Sequence, residues 1–150
     1  MFESVMELTQ EQINWLDDCT IGTWTLNPQT GLVDVKGKFN CSDQGLTDFK
    51  GVRFGMADGD FDCLYNALTS LEGAPQEVGG DFYCSNNALT SLVGAPQSVG
   101  GDFCCSDNNA LTSLVGAPQK VGGGFDCDRN QLTTLVGAPR KVDRYFNCDR

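Results

Sequence analysis

Apolar residues in this chain recur at a long fixed interval, not with the 3.6 period of a helix. Six F-x-C triplets carry the rhythm: Phe39-Asn40-Cys41, Phe61-Asp62-Cys63, Phe82-Tyr83-Cys84, Phe103-Cys104-Cys105, Phe125-Asp126-Cys127 and Phe146-Asn147-Cys148. Their phenylalanines stand 22, 21, 21, 22 and 21 residues apart. Between triplets runs a shared phrase, NALTSLVGAPQSVGG from Asn87, with counterparts starting at Asn66, Asn109 and Asn130. F-x-C predicts a short strand with Phe and Cys on one face and the middle residue on the other. The asparagine predicts a turn whose side-chain amide satisfies backbone groups at the bend. In the third unit Leu89 and Leu92 then return to the core. The Gly-Ala-Pro run up to the valine is too short and glycine-rich for a helix, and predicts an extended or turn-like return.

In period and order of residues this resembles the leucine-rich repeat, L-x-x-L-x-L-x-x-N-x-L with roughly 20–29 residues per unit. Phe82 and Cys84 match its paired strand positions, Asn87 its asparagine, Leu89 and Leu92 its next inward positions. The chain departs from the pattern by using Phe and Cys where leucine is usual. The GAPxxVGG wording is similar to short repeats of bacterial and bacteriophage proteins. The resemblance implies a β-rich repeat solenoid: a leucine-rich-repeat parallel sheet with a non-helical convex side. The reading is a single domain over 1–150, with an N-terminal cap at 1–37 and about five and a half repeats of 21–22 residues over 38–150. One such unit cannot bury its own apolar face, so neighbouring turns must stack.

The two ends differ. Thr9-Gln10-Glu11-Gln12 has the form of a capping box, flanked by Leu8 and Ile13 as a hydrophobic staple. It predicts a short helix over about 10–18 that buries Ile13 and Leu16. Thr23–Leu26 and Leu32–Val35 alternate around Asn27-Pro-Gln-Thr-Gly31, which predicts a hairpin. Helix and hairpin together form the expected cap, with Trp15 and Trp24 in its core. The other end stops at Asp143-Arg-Tyr-Phe-Asn-Cys-Asp-Arg150, in mid-unit. Its last strand is expected to show an open edge, with Arg144, Tyr145, Asn147, Asp149 and Arg150 as the residues of a homodimer or partner-strand contact.

Ten bases against twenty acids give a net charge of -10. Such a chain repels nucleic acid and anionic lipid and favours a basic partner. The acids are unevenly placed. Residues 54–119 hold eight acids and no base, whereas 120–150 hold six bases and four acids. No apolar run suits a signal peptide or a membrane span, so a cytoplasmic location is expected, and with it free thiols for the eight cysteines. The cysteines of the six triplets are expected to stack as buried small hydrophobes. Cys104 stands apart at an outward position.

Enzyme chemistry has little to build on. There is no histidine for a triad or a zinc site and no phosphate-binding glycine loop. Asp58-Gly-Asp-Phe-Asp62 starts like a calcium loop but has Cys63 where the glycine belongs and Thr69 where the glutamate belongs. No catalytic residue, metal or cofactor is expected. The outward residues of the strand face carry the functional expectation: Asp60, Asp62, Tyr65, Asp81, Tyr83, Asp102, Cys104, Asp126, Asp128 and Arg129, binding a protein partner with a basic surface. Asp60, Asp81 and Asp102 also admit a plainer role, capping the Gly-Gly turns and keeping the sheet soluble. Two other function classes fit the sequence. One is an acidic DNA mimic that inhibits a host nucleic-acid-binding or defence enzyme, a counter-defence role. The other is a structural protein that self-assembles through its C-terminal edge.

Overall fold

The computed structural model describes residues 6–149. The chain winds as a parallel β-solenoid of about six turns with one short helix. Helix α1 (Gln10–Cys19) leads into strand β1 (Thr20–Leu26), which pairs antiparallel with β2 (Leu32–Asn40). All later strands but one are two residues long: β4 (Phe61–Asp62), β5 (Glu77–Val78), β6 (Phe82–Tyr83), β7 (Ser98–Val99), β8 (Phe103–Cys104), β9 (Lys120–Val121), β10 (Phe125–Asp126), β11 (Lys141–Val142) and β12 (Phe146–Asn147). The exception is β3 (Arg53–Ala57). Among the described residues no helix is long and apolar enough to cross a membrane.

Two parallel ladders grow from β2. Its C-terminal end pairs with β4 and starts the F-x-C ladder through β6, β8, β10 and β12. Its N-terminal end pairs with β3 and starts a second ladder through β5, β7, β9 and β11, which carries one valine per turn. The return segment, expected as extended or turn-like, thus holds a regular ladder of its own. The ladders meet at a corner. In three turns the corner is Gly-Gly, because the space a side chain needs there belongs to the turn before. A Cβ on Gly79, Gly100 or Gly122 would strike a backbone carbonyl, and one on Gly80, Gly101 or Gly123 would strike an aspartate carboxylate. In the hairpin, Gly22 and Gly37 stand opposite each other at φ 129° and 111° and make the same bend.

The core is a column of repeating side chains. Phe61, Phe82, Phe103 and Phe125 stack nearly parallel, with ring centroids 5.2–5.6 Å apart along the column. Cys41, Cys63, Cys84 and Cys105 run beside them, buried, with the two leucines and the valine of each turn completing the cross-section. The thiols of Cys63 and Cys84 donate to the Tyr83 and Cys104 carbonyls of the following turn, and so point at the backbone, not at each other. The last pair departs from the expected free thiols: Cys127 and Cys148 are joined as a disulfide. Their Cα atoms lie 4.7 Å apart, within reach of a bridge. Cys148 is only half-buried, so its side chain has room to turn toward Cys127.

The helix closes the first turn. Thr9 Oγ1 accepts from the Gln12 N–H, and Gln12 Oε1 accepts from the Thr9 N–H. Trp15 and Leu16 are buried, and the Trp15 ring meets Phe39 and Phe54 edge-on at 5.3 and 6.3 Å. Of the residues expected in the cap core, Trp15 and Leu16 are buried, while Ile13 and Trp24 are half-buried. Gln44 ties cap to solenoid: its Oε1 accepts from Trp15 Nε1 at 2.9 Å and its Nε2 lies 3.4 Å from Cys19 Sγ.

Candidate functional site

The ladder asparagines fix the bend that presents the F-x-C face. Asn66, Asn87, Asn108 and Asn130 each stand three residues after the triplet cysteine. Each side-chain amide donates both to its own turn's cysteine carbonyl and to that of the turn before. Their Oδ1 atoms accept backbone N–H groups of the preceding turn: Leu46 for Asn66, Leu68 for Asn87, Leu89 for Asn108. The shared phrase aligned Asn109 with this column, and the structure corrects it. Asn108 is fully buried and holds the ladder, while Asn109 and Ala110 stand exposed where the turn before has Ala88 alone, which gives this unit its 22nd residue. The distance from the cysteine was the signal that would have found it.

Just before each ladder asparagine, and before Gln44 at the same place in the first turn, the backbone enters the left-handed region, at Asp43, Tyr65, Asn86, Asp107 and Arg129, with φ between 51° and 58°. For Tyr65 and Arg129, neither of which favours this region, only the fixed path of the turn holds it. Tyr65 is exposed as a result. Arg129 reaches back and grips Asp107 with two N–H groups, both at 2.8 Å, which lowers the Asp107 pKa.

The aspartate column is built into the fold. Asp60 Oδ1 accepts the Asp81 N–H at 2.8 Å, Asp81 Oδ1 the Asp102 N–H at 2.7 Å, and Asp102 Oδ1 the Gly124 N–H at 2.8 Å. Each carboxylate caps the corner of the next turn, and it fills the space that keeps the corner residue a glycine. Sequence reasoning offered this role beside partner binding, and the hydrogen bonds establish it. The second carboxylate oxygens are engaged at two sites: Lys38 Nζ lies 3.7 Å from Asp60 Oδ2, and the Tyr83 hydroxyl donates to Asp81 Oδ2 at 2.7 Å. That donation raises the Tyr83 pKa.

The structure brings most of the expected site residues onto one face. In the middle positions Asp62, Tyr83, Cys104, Asp126 and Asn147 form a half-buried row. Asp62 and Asp126 each accept the N–H two residues on, from Leu64 and Asp128 at 3.0 Å, and so shape the turns that follow. Burial raises the Asp126 pKa. Cys104 is partly desolvated and surrounded by Asp126, Asp102 and Asp81, and its thiol is pushed up to about 12. A thiol that resists ionisation is a poor nucleophile. Asp128 acts on the last turn: its Oδ1 accepts the Asp149 N–H at 2.9 Å and its Oδ2 accepts from Asn147 Nδ2 at 3.0 Å. Tyr145 lays its ring against Gly124, whose missing side chain leaves the room. Arg150 lies outside the described residues.

Among the described residues no cluster of three metal-ligating side chains forms. The face is an open sheet of carboxylates and tyrosines on a rigid frame. No protein-family description, no curated protein and no solved structure matches this chain.

Proposed function

We propose that this protein is a non-enzymatic interaction module of the leucine-rich-repeat kind, of bacterial or bacteriophage type, that works in the cytoplasm. It holds a protein partner with a basic surface on its F-x-C face. The observation that carries the reading is the row Asp62, Tyr83, Cys104 and Asp126, edged by the capping aspartates, whose first three members lie in the segment between Arg53 and Lys120 that holds no base. Hydrogen bonds hold the Asp62, Tyr83 and Asp126 side chains in place before any partner arrives, so less ordering remains to oppose binding. The summed negative field steers a basic surface toward the sheet and accelerates encounter. Tyr83 and Tyr65 supply the aromatic contacts on which such interfaces depend.

The test must spare the capping carboxylates, since removing them would disturb the corners. Tyr83→Arg and Cys104→Arg reverse the local charge at middle positions that cap nothing. Each variant is first compared with the parent chain by circular dichroism, then used in affinity capture from a bacterial extract. Loss of the captured partner, with the fold intact, is the expected result. Recovery of the same partner by the double variant would contradict the proposal.

A further inference from the structure

The three capping aspartates are alike in one oxygen and differ in the other. Each gives Oδ1 to a backbone N–H of the next turn. Asp60 Oδ2 faces Lys38 Nζ at 3.7 Å, and Asp81 Oδ2 accepts from the Tyr83 hydroxyl at 2.7 Å. Asp102 Oδ2 has neither a donor nor a base beside it among the described residues. Lys38 and Arg129, bases of the same face, are taken by Asp60 and Asp107.

The surroundings of that oxygen are aromatic. Asp102 leads into the strand of Cys104, which the parallel register sets between those of Tyr83 and Asp126. On one side stands the Tyr83 ring, pinned by its bond to Asp81. On the other is Gly124, where the far end of the Tyr145 ring fills the place of a side chain: a Cβ there would strike Cζ and both Cε atoms. Tyr145 therefore points back toward Asp102 with its hydroxyl end foremost, and burial and then the Asp102 charge raise its pKa. The outward side chain that shares the interval with Asp102 is the short thiol of Cys104. The Tyr145 ring lies over earlier turns, so a further turn stacked after it would leave the interval as it is.

We infer that this interval receives one arginine side chain of the protein partner, its guanidinium on the free oxygen of Asp102 and against the rings of Tyr83 and Tyr145. The inference rests on the proposed role of this face in holding a basic protein. Two properties select arginine over lysine. A guanidinium is flat and weakly hydrated, so it lies on a tyrosine ring at less desolvation cost than an ammonium. It also carries several N–H donors in one plane, enough for Asp102 Oδ2 and a tyrosine hydroxyl together. The strands of Tyr83 and Gly124 are two ladder spacings apart, about 9–10 Å, which leaves room for such a plane between the side chains. Carboxylates alone would attract any cation. Attraction between cation and ring, added from both sides, makes the interval discriminate.

Nuclear magnetic resonance titration of the whole isotope-labelled chain with capped Gly-Arg-Gly, Gly-Lys-Gly and Gly-citrulline-Gly peptides tests the idea. Shifts confined to the amides around Asp102, Cys104 and Gly124 are expected, with a dissociation constant on the order of 1–10 mM for the arginine peptide. The lysine peptide should bind about threefold more weakly, and the citrulline peptide, which keeps the shape without the charge, about tenfold. Asp102→Asn retains an oxygen for the Gly124 N–H and should weaken arginine binding about fivefold. Tyr145→Ala should weaken it about threefold, and Tyr145→Phe should bring it back to within about twofold of the parent. Equal affinity for the arginine and citrulline peptides, shifts scattered over the sheet, or parent-like binding by Asp102→Asn and Tyr145→Ala would each overturn the inference. Should Asp102→Asn fail to fold, the Tyr145 variants and the citrulline comparison decide. Affinity capture separates this site from the broader reading. A captured protein lost from the Tyr83→Arg, Cys104→Arg double variant but kept by Asp102→Asn overturns the arginine site and leaves the interaction module standing. Arginine binding as described, with no protein captured, upholds the site and sinks the module.

Discussion

Replacing Asn108 by alanine should be among the most damaging single changes in this protein, although the same change one residue later should do almost nothing. Asn108 is fully buried. Its Oδ1 is the partner of the Leu89 N–H at 3.1 Å, and its amide donates to the Cys84, Cys105 and Ser106 carbonyls at 3.0–3.2 Å. The cysteine carbonyls keep one amide each, from Asn87 and Asn130, so their loss is partial. The Leu89 N–H keeps nothing. An orphaned buried donor costs about 1–3 kcal/mol, and each lost bond with a surviving alternative about 0.5–1.5 kcal/mol. The sum is roughly 2–5 kcal/mol, or about 5–20 °C in Tm for a chain of this length. Asn109 is exposed and makes no side-chain hydrogen bond within the described residues, so Asn109→Ala should stay within about 0.5 kcal/mol. Thermal melts followed by circular dichroism measure both. Equal effects at the two positions, or less than about 1 kcal/mol at Asn108, would refute the assignment of the ladder.

Three other expectations follow from particular contacts. Gly101→Ala should cost about 1–3 kcal/mol because its Cβ meets the Asp81 carboxylate; adding Asp81→Gly should relieve part of that, so a double-mutant cycle of melting temperatures should show coupling between the two sites. Cys104, with its thiol near 12, should react with iodoacetamide at pH 8 on the order of 10³-fold more slowly than an ordinary cysteine, gaining about tenfold per pH unit; labelling followed by mass spectrometry reads the rate, and prompt labelling would contradict the described surroundings. Asp126→Asn should raise stability at neutral pH: an acid whose folded pKa is raised costs stability while ionised, and that cost fades as pH falls through the folded value. The gap between variant and parent in melting temperature should therefore be present at pH 7 and close near pH 3; a gap that widens on acidification would show the opposite sign.

The repeat made much of the fold legible, because inward and outward positions follow from spacing alone. What the spacing could not show was how one turn acts on the next. The Gly-Gly corner reads in the sequence only as a turn, yet its first glycine is demanded by a backbone carbonyl of the turn before and its second by the Asp60, Asp81 or Asp102 carboxylate. For those aspartates the sequence left partner binding and corner capping both open, and only the hydrogen bonds show the capping. The extra residue of the fourth unit could be placed on either side of an asparagine by word matching, and only the buried amide of Asn108 settles it. Glu77–Val78 and its counterparts are too short to announce a strand, so the second ladder emerged only from stacking. At the N-terminal end Trp15 is buried as expected, whereas Ile13 is only half-buried, because the helix turns Trp15 and Leu16 onto the first turn's rings and leaves Ile13 at the margin.

A crystal structure of the chain would measure the central matter directly, namely whether successive turns lie in register with each phenylalanine directly over the last. The expected electron density shows Phe61, Phe82, Phe103 and Phe125 as one buried file with ring centres 5.2–5.6 Å apart, and aspartate oxygens on the corner amides beside it. Triplets paired as antiparallel hairpins, or phenylalanine rings facing water, would contradict it.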